Sequence, residues 1–115
     1  MNIIVNTIIG IVALLHAYFF ILEMFLWEKP AGRKSFRTTA EFAAQSKTLA
    51  ANQGLYNGFL AAGLVWSLFA GDAVKIFFLS CVIIAGIFGA FTVSKRIFYI
   101  QALPALIGLV LLLVL

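Results

Sequence analysis

Four long runs of apolar residues follow one another along the chain, separated by polar breaks. They cover about 3–27, 49–70, 73–94 and 97–115. Each run is long enough to cross the hydrocarbon layer as a helix, the form that satisfies its own backbone polar groups. The pattern predicts an all-α integral membrane four-helix bundle in which residues 1–115 form a single four-span domain.

The breaks between these runs differ in length and kind. Residues 28–48 form the one long loop, whereas Gly71 and Asp72 make a tight turn. Pro30 is expected to stop the first helix, because proline biases the residue before it away from helical geometry. Thr38, with a glutamate three residues later, fits a capping box, so the second helix is expected to begin near position 39 and to extend into the cytoplasm.

Basic residues concentrate on one side of the predicted membrane. Seven lie in the long loop and the last break, and one lies on the other side: Lys29, Arg33, Lys34, Arg37, Lys47, Lys95 and Arg96 against Lys75. The positive-inside rule therefore places the loop 28–48 in the cytoplasm and both termini on the non-cytoplasmic side. The net charge of +4 is mostly this topology signal, and we expect no nucleic-acid partner.

Composition supports membrane residence and limits the available chemistry. The chain is 64% hydrophobic and 10% charged, far from the values of a soluble domain. Cys81 is a single cysteine, so no intrachain disulfide is expected. With one histidine and no HExxH motif, no metal site is expected.

Polar residues fall mainly in the cytoplasmic half of the predicted spans. Such residues are costly in a membrane and usually face a bundle interior or a cavity. They predict a polar intramembrane site that opens to the cytoplasm. The candidate ligand-binding residues are Glu23, Asn52, Gln53, Tyr56, Asn57, Arg96 and Tyr99.

Glu23 needs a partner, because a carboxylate within a membrane helix is unfavourable unless it is paired. Arg96 is the preferred partner and Lys47 the second choice. Asn52 or Asn57 would donate hydrogen bonds. The pair could serve a ligand site or simply lock the helices together. His16 lies on the same helix face, seven residues earlier, as a helix-to-helix hydrogen bonder or a proton relay.

Two stretches resemble the small four-span bacterial family catalogued as domain of unknown function 1304. They are HAYFFILEMFLWEKP (16–30) and LAANQGLYNGFLAAGLVW (49–66). The likeness covers nearly the whole chain and implies a multi-pass protein of the bacterial inner membrane. That family has no established activity.

The chain also resembles, more distantly, the membrane-associated proteins in eicosanoid and glutathione metabolism. The stretch RIFYIQ (96–101) is similar to the entry into that family's fourth helix, and Asn52 and Tyr56 match its glutathione-binding asparagine and tyrosine. The resemblance implies a homotrimer with cytoplasm-facing sites between subunits. Leu55 and Val110 depart from the family's acidic residue and later arginine.

These considerations leave three functions open. The first is binding of a small amphipathic or anionic ligand such as a thiol or a lipid. The residues themselves predict no cofactor, and glutathione is implied only by the distant resemblance. The second is proton-coupled transport with Glu23, as in the small multidrug transporters that the chain also resembles. The third is a purely structural membrane protein.

In the binding hypothesis each site residue has a role. Arg96 anchors an anion, Glu23 orients the ligand, the amides form hydrogen bonds and the tyrosines form amphipathic walls. The amides are Asn52, Gln53 and Asn57, and the tyrosines are Tyr56 and Tyr99. Gly54 and Gly58 allow another backbone or a ligand to approach closely.

Overall fold

The computed structural model describes residues 2–115, which fold into five helices. They are α1 (Ile3–Met24), α2 (Pro30–Phe36), α3 (Ala40–Ala70), α4 (Asp72–Thr92) and α5 (Lys95–Val114). We treat α5 as one helix that contains a π-helical segment, Phe98–Ala102. No strand occurs in this part of the chain, which confirms the predicted all-α class.

Three helices among the described residues are long and apolar enough to cross a membrane, namely α1, α4 and α5. This supports a membrane protein on the basis of length and composition. α3 is the longest helix, with 31 residues, yet it is not one of the three. Its middle carries Gln53 and Asn57, whose amides lower its apolarity.

The end of α1 differs from the prediction. α1 ends at Met24, before the predicted limit at position 27, and Pro30 is the first residue of α2. Proline is favoured at the first position of a helix, because its missing N–H would have no partner there. Part of the predicted loop 28–48 is therefore helical.

The junction between α2 and α3 also corrects one expectation. Arg37, which ends α2, adopts a left-handed conformation with φ of 56°. Because α3 begins at Ala40, Thr39 is the capping residue, and its Oγ1 accepts a hydrogen bond from the backbone N–H of Phe42 at 3.1 Å. The predicted capping box on Thr38 is wrong by one residue.

Contacts divide the chain into two compact units. The first contains the residues up to Ala13 together with Ala62–Leu115, and the second is Leu14–Ala61. α4 and α5 belong wholly to the first unit, and α2 belongs to the second. α1 and α3 contribute to both.

Close packing of α4 on α5 characterises the first unit. A Cβ atom at Gly86 would lie 2.7 Å from the backbone nitrogen of Ala102, so only glycine permits this approach. In the π-helical segment the N–H of Leu103 bonds to the carbonyl of Phe98, five residues back. Pro104 explains this widening, because its ring has no N–H and would clash with the preceding turn of a regular helix.

Two further features connect the helices of each unit. In the first unit, Gly71 alone separates α3 from α4, and its φ of 101° is a conformation that suits glycine. In the second unit, α2 packs on the turn that follows α1. A Cβ atom at Gly32 would lie 2.1 Å from the carbonyl oxygen of Leu26.

Candidate functional site

The carboxylate of Glu23 is the most deeply buried acidic group among the described residues. The residue is 1% exposed, although it lies on the last turn of α1. Nε2 of Gln53 donates a hydrogen bond to its Oε2, and Nδ2 of Asn57 donates one to its Oε1 at 2.5 Å. Two neutral amides from α3 therefore hold both oxygens of the carboxylate.

Helix geometry explains why these two amides act together. Gln53 and Asn57 are four residues apart, so they lie next to each other on one side of α3. Gly54, between them, faces α1, and a Cβ atom there would lie 2.9 Å from the Cβ of Glu23. Gly58 similarly faces the ring of Phe20. The glycine face of α3 therefore lets this helix approach α1 closely, and the amide side chains come within hydrogen-bond distance of Glu23.

A cavity of about 550 Å³ adjoins this carboxylate within the second unit. Its lining combines two acidic side chains, two basic side chains and an apolar part. The lining residues are Glu23, Met24, Phe25, Trp27, Glu28, Lys29, Lys47, Thr48 and Ala51. A space of this size lined by apolar groups and a few charges is typical of a small-molecule site.

The indole of Trp27 is held in place at this cavity. Its Nε1 donates a hydrogen bond to Oγ of Ser46 at 3.1 Å, and the Ser46 hydroxyl donates in turn to the carbonyl of Phe42 at 2.6 Å. The indole also packs on the ring of Phe36, with 5.0 Å between ring centroids. Residues from α2 and α3 therefore orient one wall of the cavity.

The structure brings together only part of the predicted site. Glu23, Gln53 and Asn57 form the hydrogen-bonded cluster. Asn52 and Tyr56 are exposed on α3, and the Tyr56 ring contacts Phe59 at 5.9 Å. They share α3 with the two amides, but the hydrogen bonds to Glu23 come from Gln53 and Asn57.

Arg96 and Tyr99 belong to the first unit, at the start of α5. Arg96 is exposed, and its backbone N–H bonds to Oγ of Ser94 at 3.2 Å. Tyr99 lines a separate, mostly apolar cavity of about 390 Å³ together with Lys95 and Phe98. Their predicted roles as anion anchor and wall of the Glu23 site remain predictions.

Sequence reasoning missed several residues of the cavity. Trp27, Glu28 and Lys29 line it, although the predicted site omits them. Lys47 also lines it, and the sequence had suggested this residue only as a partner of Glu23. The available signal was proximity, because the first three residues follow Glu23 within six positions of the sequence.

A second buried polar group lies in the first unit and was also missed. Lys75 on α4 is 6% exposed, and its Nζ donates a hydrogen bond to Oδ1 of Asn6 on α1 at 2.9 Å. Oδ1 of Asp72 lies 3.8 Å from the same nitrogen. In the sequence analysis Lys75 counted only as the one basic residue on the non-cytoplasmic side of the predicted membrane. The structure shows that it links two helices.

His16 is buried on the same helix as Glu23. It is 1% exposed, and its ring meets that of Phe19 edge to face at 5.8 Å between centroids. The expected common face is consistent with the burial of both residues. Its part in a proton relay stays a prediction.

Comparisons with known proteins identify relatives whose descriptions give no function. The model of a protein family described as "Protein of unknown function (DUF1304)" matches residues 10–113. A protein of Lactococcus lactis subsp. lactis (strain IL1403), described as "Uncharacterized protein YpaA", is 30% identical over 105 residues. The match covers 87% of this chain and 88% of that protein. No solved structure matches.

Proposed function

Because the chain belongs to the DUF1304 family, whose description assigns no function, we propose a function from the Glu23 site itself. The protein binds a small amphipathic molecule that carries an anionic group, at a site in the membrane that opens to the cytoplasm. We assign binding and no chemical reaction, because the cavity offers charged and apolar contacts for a ligand.

The cavity beside Glu23 is the observation that carries this proposal. Lys29 and Lys47 line it and can bind an anionic group, because each ammonium has three donors. Met24 and Phe25 line it too and offer apolar surface. A ligand with a charged end and an apolar end matches both parts of this lining.

The proposed topology has four spans, with α3 as the span of lower apolarity. A helix of 31 residues is about 46 Å long, which is enough to cross the hydrocarbon layer and extend beyond it. Gln53 and Asn57 each donate one hydrogen bond to Glu23 within the second unit, and these bonds lower the cost of placing the two amides in a membrane. Both termini lie on the non-cytoplasmic side of the bacterial inner membrane.

A homotrimer is the proposed assembly, by analogy with the distantly similar eicosanoid and glutathione family. In that assembly Arg96 supplies the anion anchor, and Tyr56, Tyr99 and Asn52 complete the site. Exposure of Asn52, Tyr56 and Tyr99 in the single chain supports this part of the proposal, because a neighbouring subunit can contact exposed side chains.

Native mass spectrometry of protein released in mild detergent tests binding and assembly together. We expect a trimer that retains a small bound mass. Lys47→Gln should weaken the affinity by about tenfold and so lower the bound fraction, the effect of losing one charge-assisted hydrogen bond. Lys34→Gln removes an exposed lysine that does not line the cavity and is the matched control.

Three results would each contradict a part of this proposal. A wild-type protein that carries no bound mass, and acquires none from added lipid or thiol, would remove the binding function. Equal occupancy in wild type and Lys47→Gln would place the ligand elsewhere. A dimer would overturn the trimer while leaving the cavity itself open to occupancy.

Proton-coupled transport is the alternative that one observation favours, namely a buried carboxyl group on a helix able to span the membrane. Proteoliposomes with an imposed proton gradient separate the two functions. Transport predicts accumulation of a cationic dye that is lost in Glu23→Gln. Binding alone predicts no accumulation in either protein, and a structural role predicts only a lower melting temperature in the variant.

A further inference from the structure

The charges around the Glu23 cavity are balanced. Glu23 and Glu28 contribute two carboxylates, and Lys29 and Lys47 contribute two ammonium groups. A ligand with an anionic group alone would satisfy the lysines but would meet two like charges. A ligand that carries both charges is complementary to the whole lining, and such complementarity is what gives an interface its specificity.

Glu23 is only 1% exposed, yet it lines the cavity, and its carboxylate has acceptor positions left for a cationic group of the ligand. An ionised carboxylate has about four acceptor positions, and Gln53 and Asn57 occupy one on each oxygen. Because these donors are neutral amides, they orient the carboxylate without supplying a positive charge. A primary ammonium can donate to the remaining positions and supply that charge.

Trp27 adds a second element of cation recognition. The indole lines the cavity, and the Ser46 hydroxyl and the Phe36 ring hold it in one orientation. Tryptophan is the aromatic side chain that attracts a cation most strongly through its face. A fixed indole near a carboxylate therefore provides a suitable environment for an ammonium group.

The apolar part of the lining favours a lipid over a soluble zwitterion. Met24 and Phe25 line the cavity and are 36% and 63% exposed. Met24 ends α1 and Phe25 follows it, and α1 is apolar enough to span a membrane. In the proposed topology the cavity therefore lies where headgroups meet acyl chains. Lysines on the cytoplasmic side of membrane helices are typical contacts of lipid headgroups.

On these grounds, and resting on the proposed binding function, we propose that the ligand is a zwitterionic aminophospholipid. Its primary ammonium binds Glu23 beside Trp27, and its phosphodiester binds Lys29 and Lys47. The acyl chains pass along Met24 and Phe25. The proposed function required an amphipathic ligand with an anionic group. This assignment adds that the ligand also carries a positive group.

A lipid competition experiment tests the assignment. The full chain in detergent is offered equal amounts of phosphatidylethanolamine and phosphatidylglycerol with identical acyl chains, and bound lipid is counted by native mass spectrometry. We expect the wild type to prefer phosphatidylethanolamine by about tenfold, the effect of one charge-assisted hydrogen bond. Glu23→Gln should abolish this preference while phosphatidylglycerol still binds.

Matched variants separate recognition from folding. Glu41→Gln changes an exposed carboxylate at the start of α3 and should keep the full preference. Glu28→Gln changes an exposed lining residue and should reduce the preference in part, even if Glu23→Gln were to misfold. Lys47→Gln should weaken binding of both lipids to a similar degree, because both carry the phosphodiester.

The possible failures are distinguishable. An equal or greater preference for phosphatidylglycerol in the wild type would overturn the zwitterion while leaving lipid binding intact. Binding of neither lipid would overturn the proposed function as well. Displacement of phosphatidylethanolamine by an equal concentration of soluble glycerophosphoethanolamine would assign the site to a soluble zwitterion and overturn the lipid assignment.

Discussion

Gly54 is the residue on which the geometry of the Glu23 cluster depends. A Cβ atom at this position would lie 2.9 Å from the Cβ of Glu23 and 3.2 Å from the backbone nitrogen of Met24. The second of these contacts is with backbone, which cannot move away as a flexible side chain can. If α3 did not approach α1 this closely, the side-chain amides of Gln53 and Asn57 would lie too far from the carboxylate of Glu23 to bond to it.

Gly54→Ala should therefore lower the stability of the protein. Overpacking at such a contact costs about 1–3 kcal/mol, which exceeds the gain of up to about 1 kcal/mol from replacing a helical glycine. Gly10→Ala is the matched control, because nothing lies within 4 Å of a Cβ there. Thermal unfolding in detergent should show a lower melting temperature for Gly54→Ala and an equal or higher one for Gly10→Ala. The reverse order would mean that α3 does not approach α1 so closely.

At the scale of the elements, the sequence predicted helices better than it predicted their pairing. The apolar runs placed α4 and α5 within about two residues of their observed limits, because apolar length is a local property. Glu23, Gln53 and Asn57 were among the candidate site residues predicted from the sequence, and the structure brings these three together. Their mutual hydrogen bonds depend on the register between α1 and α3, which no local pattern specifies.

Two elements could not be predicted from the sequence, and each has a physical reason. α2 was hidden because its basic residues were interpreted as a topology signal and Pro30 as a stop signal. The π-helical segment Phe98–Ala102 had one available signal, Pro104, inside an apolar run that was otherwise a regular helix. Lys29 and Lys47 were missed as a pair because they approach one cavity only after the chain has turned through α2.

The link between α1 and α4 in the first unit yields a prediction at this scale. Asn6→Leu should destabilise the protein by about 1–3 kcal/mol, because it leaves the buried ammonium of Lys75 without its amide acceptor. Lys75→Met in the same chain should recover part of that loss, since it removes the charge as well. Chemical unfolding of both single variants and the double variant measures the coupling. Strictly additive losses would show that the pair contributes no interaction energy.

At the scale of the whole molecule, topology depends on whether α3 crosses the membrane. α1, α4 and α5 are apolar enough to do so by composition. The polar residues of α3 include Gln53 and Asn57, which bond to Glu23, so this hydrogen-bonded cluster contributes to the lower apolarity of the helix. Hydropathy alone undervalues a polar helix whose amides donate hydrogen bonds to a neighbouring helix.

Cysteine labelling in intact cells tests the crossing directly. In a Cys81→Ser background, Lys34→Cys tags the segment between α1 and α3, and Asp72→Cys tags the start of α4. With four spans, a membrane-impermeant maleimide should label Asp72→Cys and leave Lys34→Cys unlabelled until the cells are opened. Labelling of both positions from the same side would show that α3 does not cross.

The one-residue junction at Gly71 has a consequence for biogenesis. α3 leaves the ribosome before α4, and its own composition gives it a weak tendency to partition into lipid. In the proposed four-span topology, the single glycine between them means that the two helices enter the bilayer together as one hairpin. The strong apolarity of α4 would then secure the insertion of α3, so that the translocon accepts a helix carrying the polar groups of the Glu23 cluster.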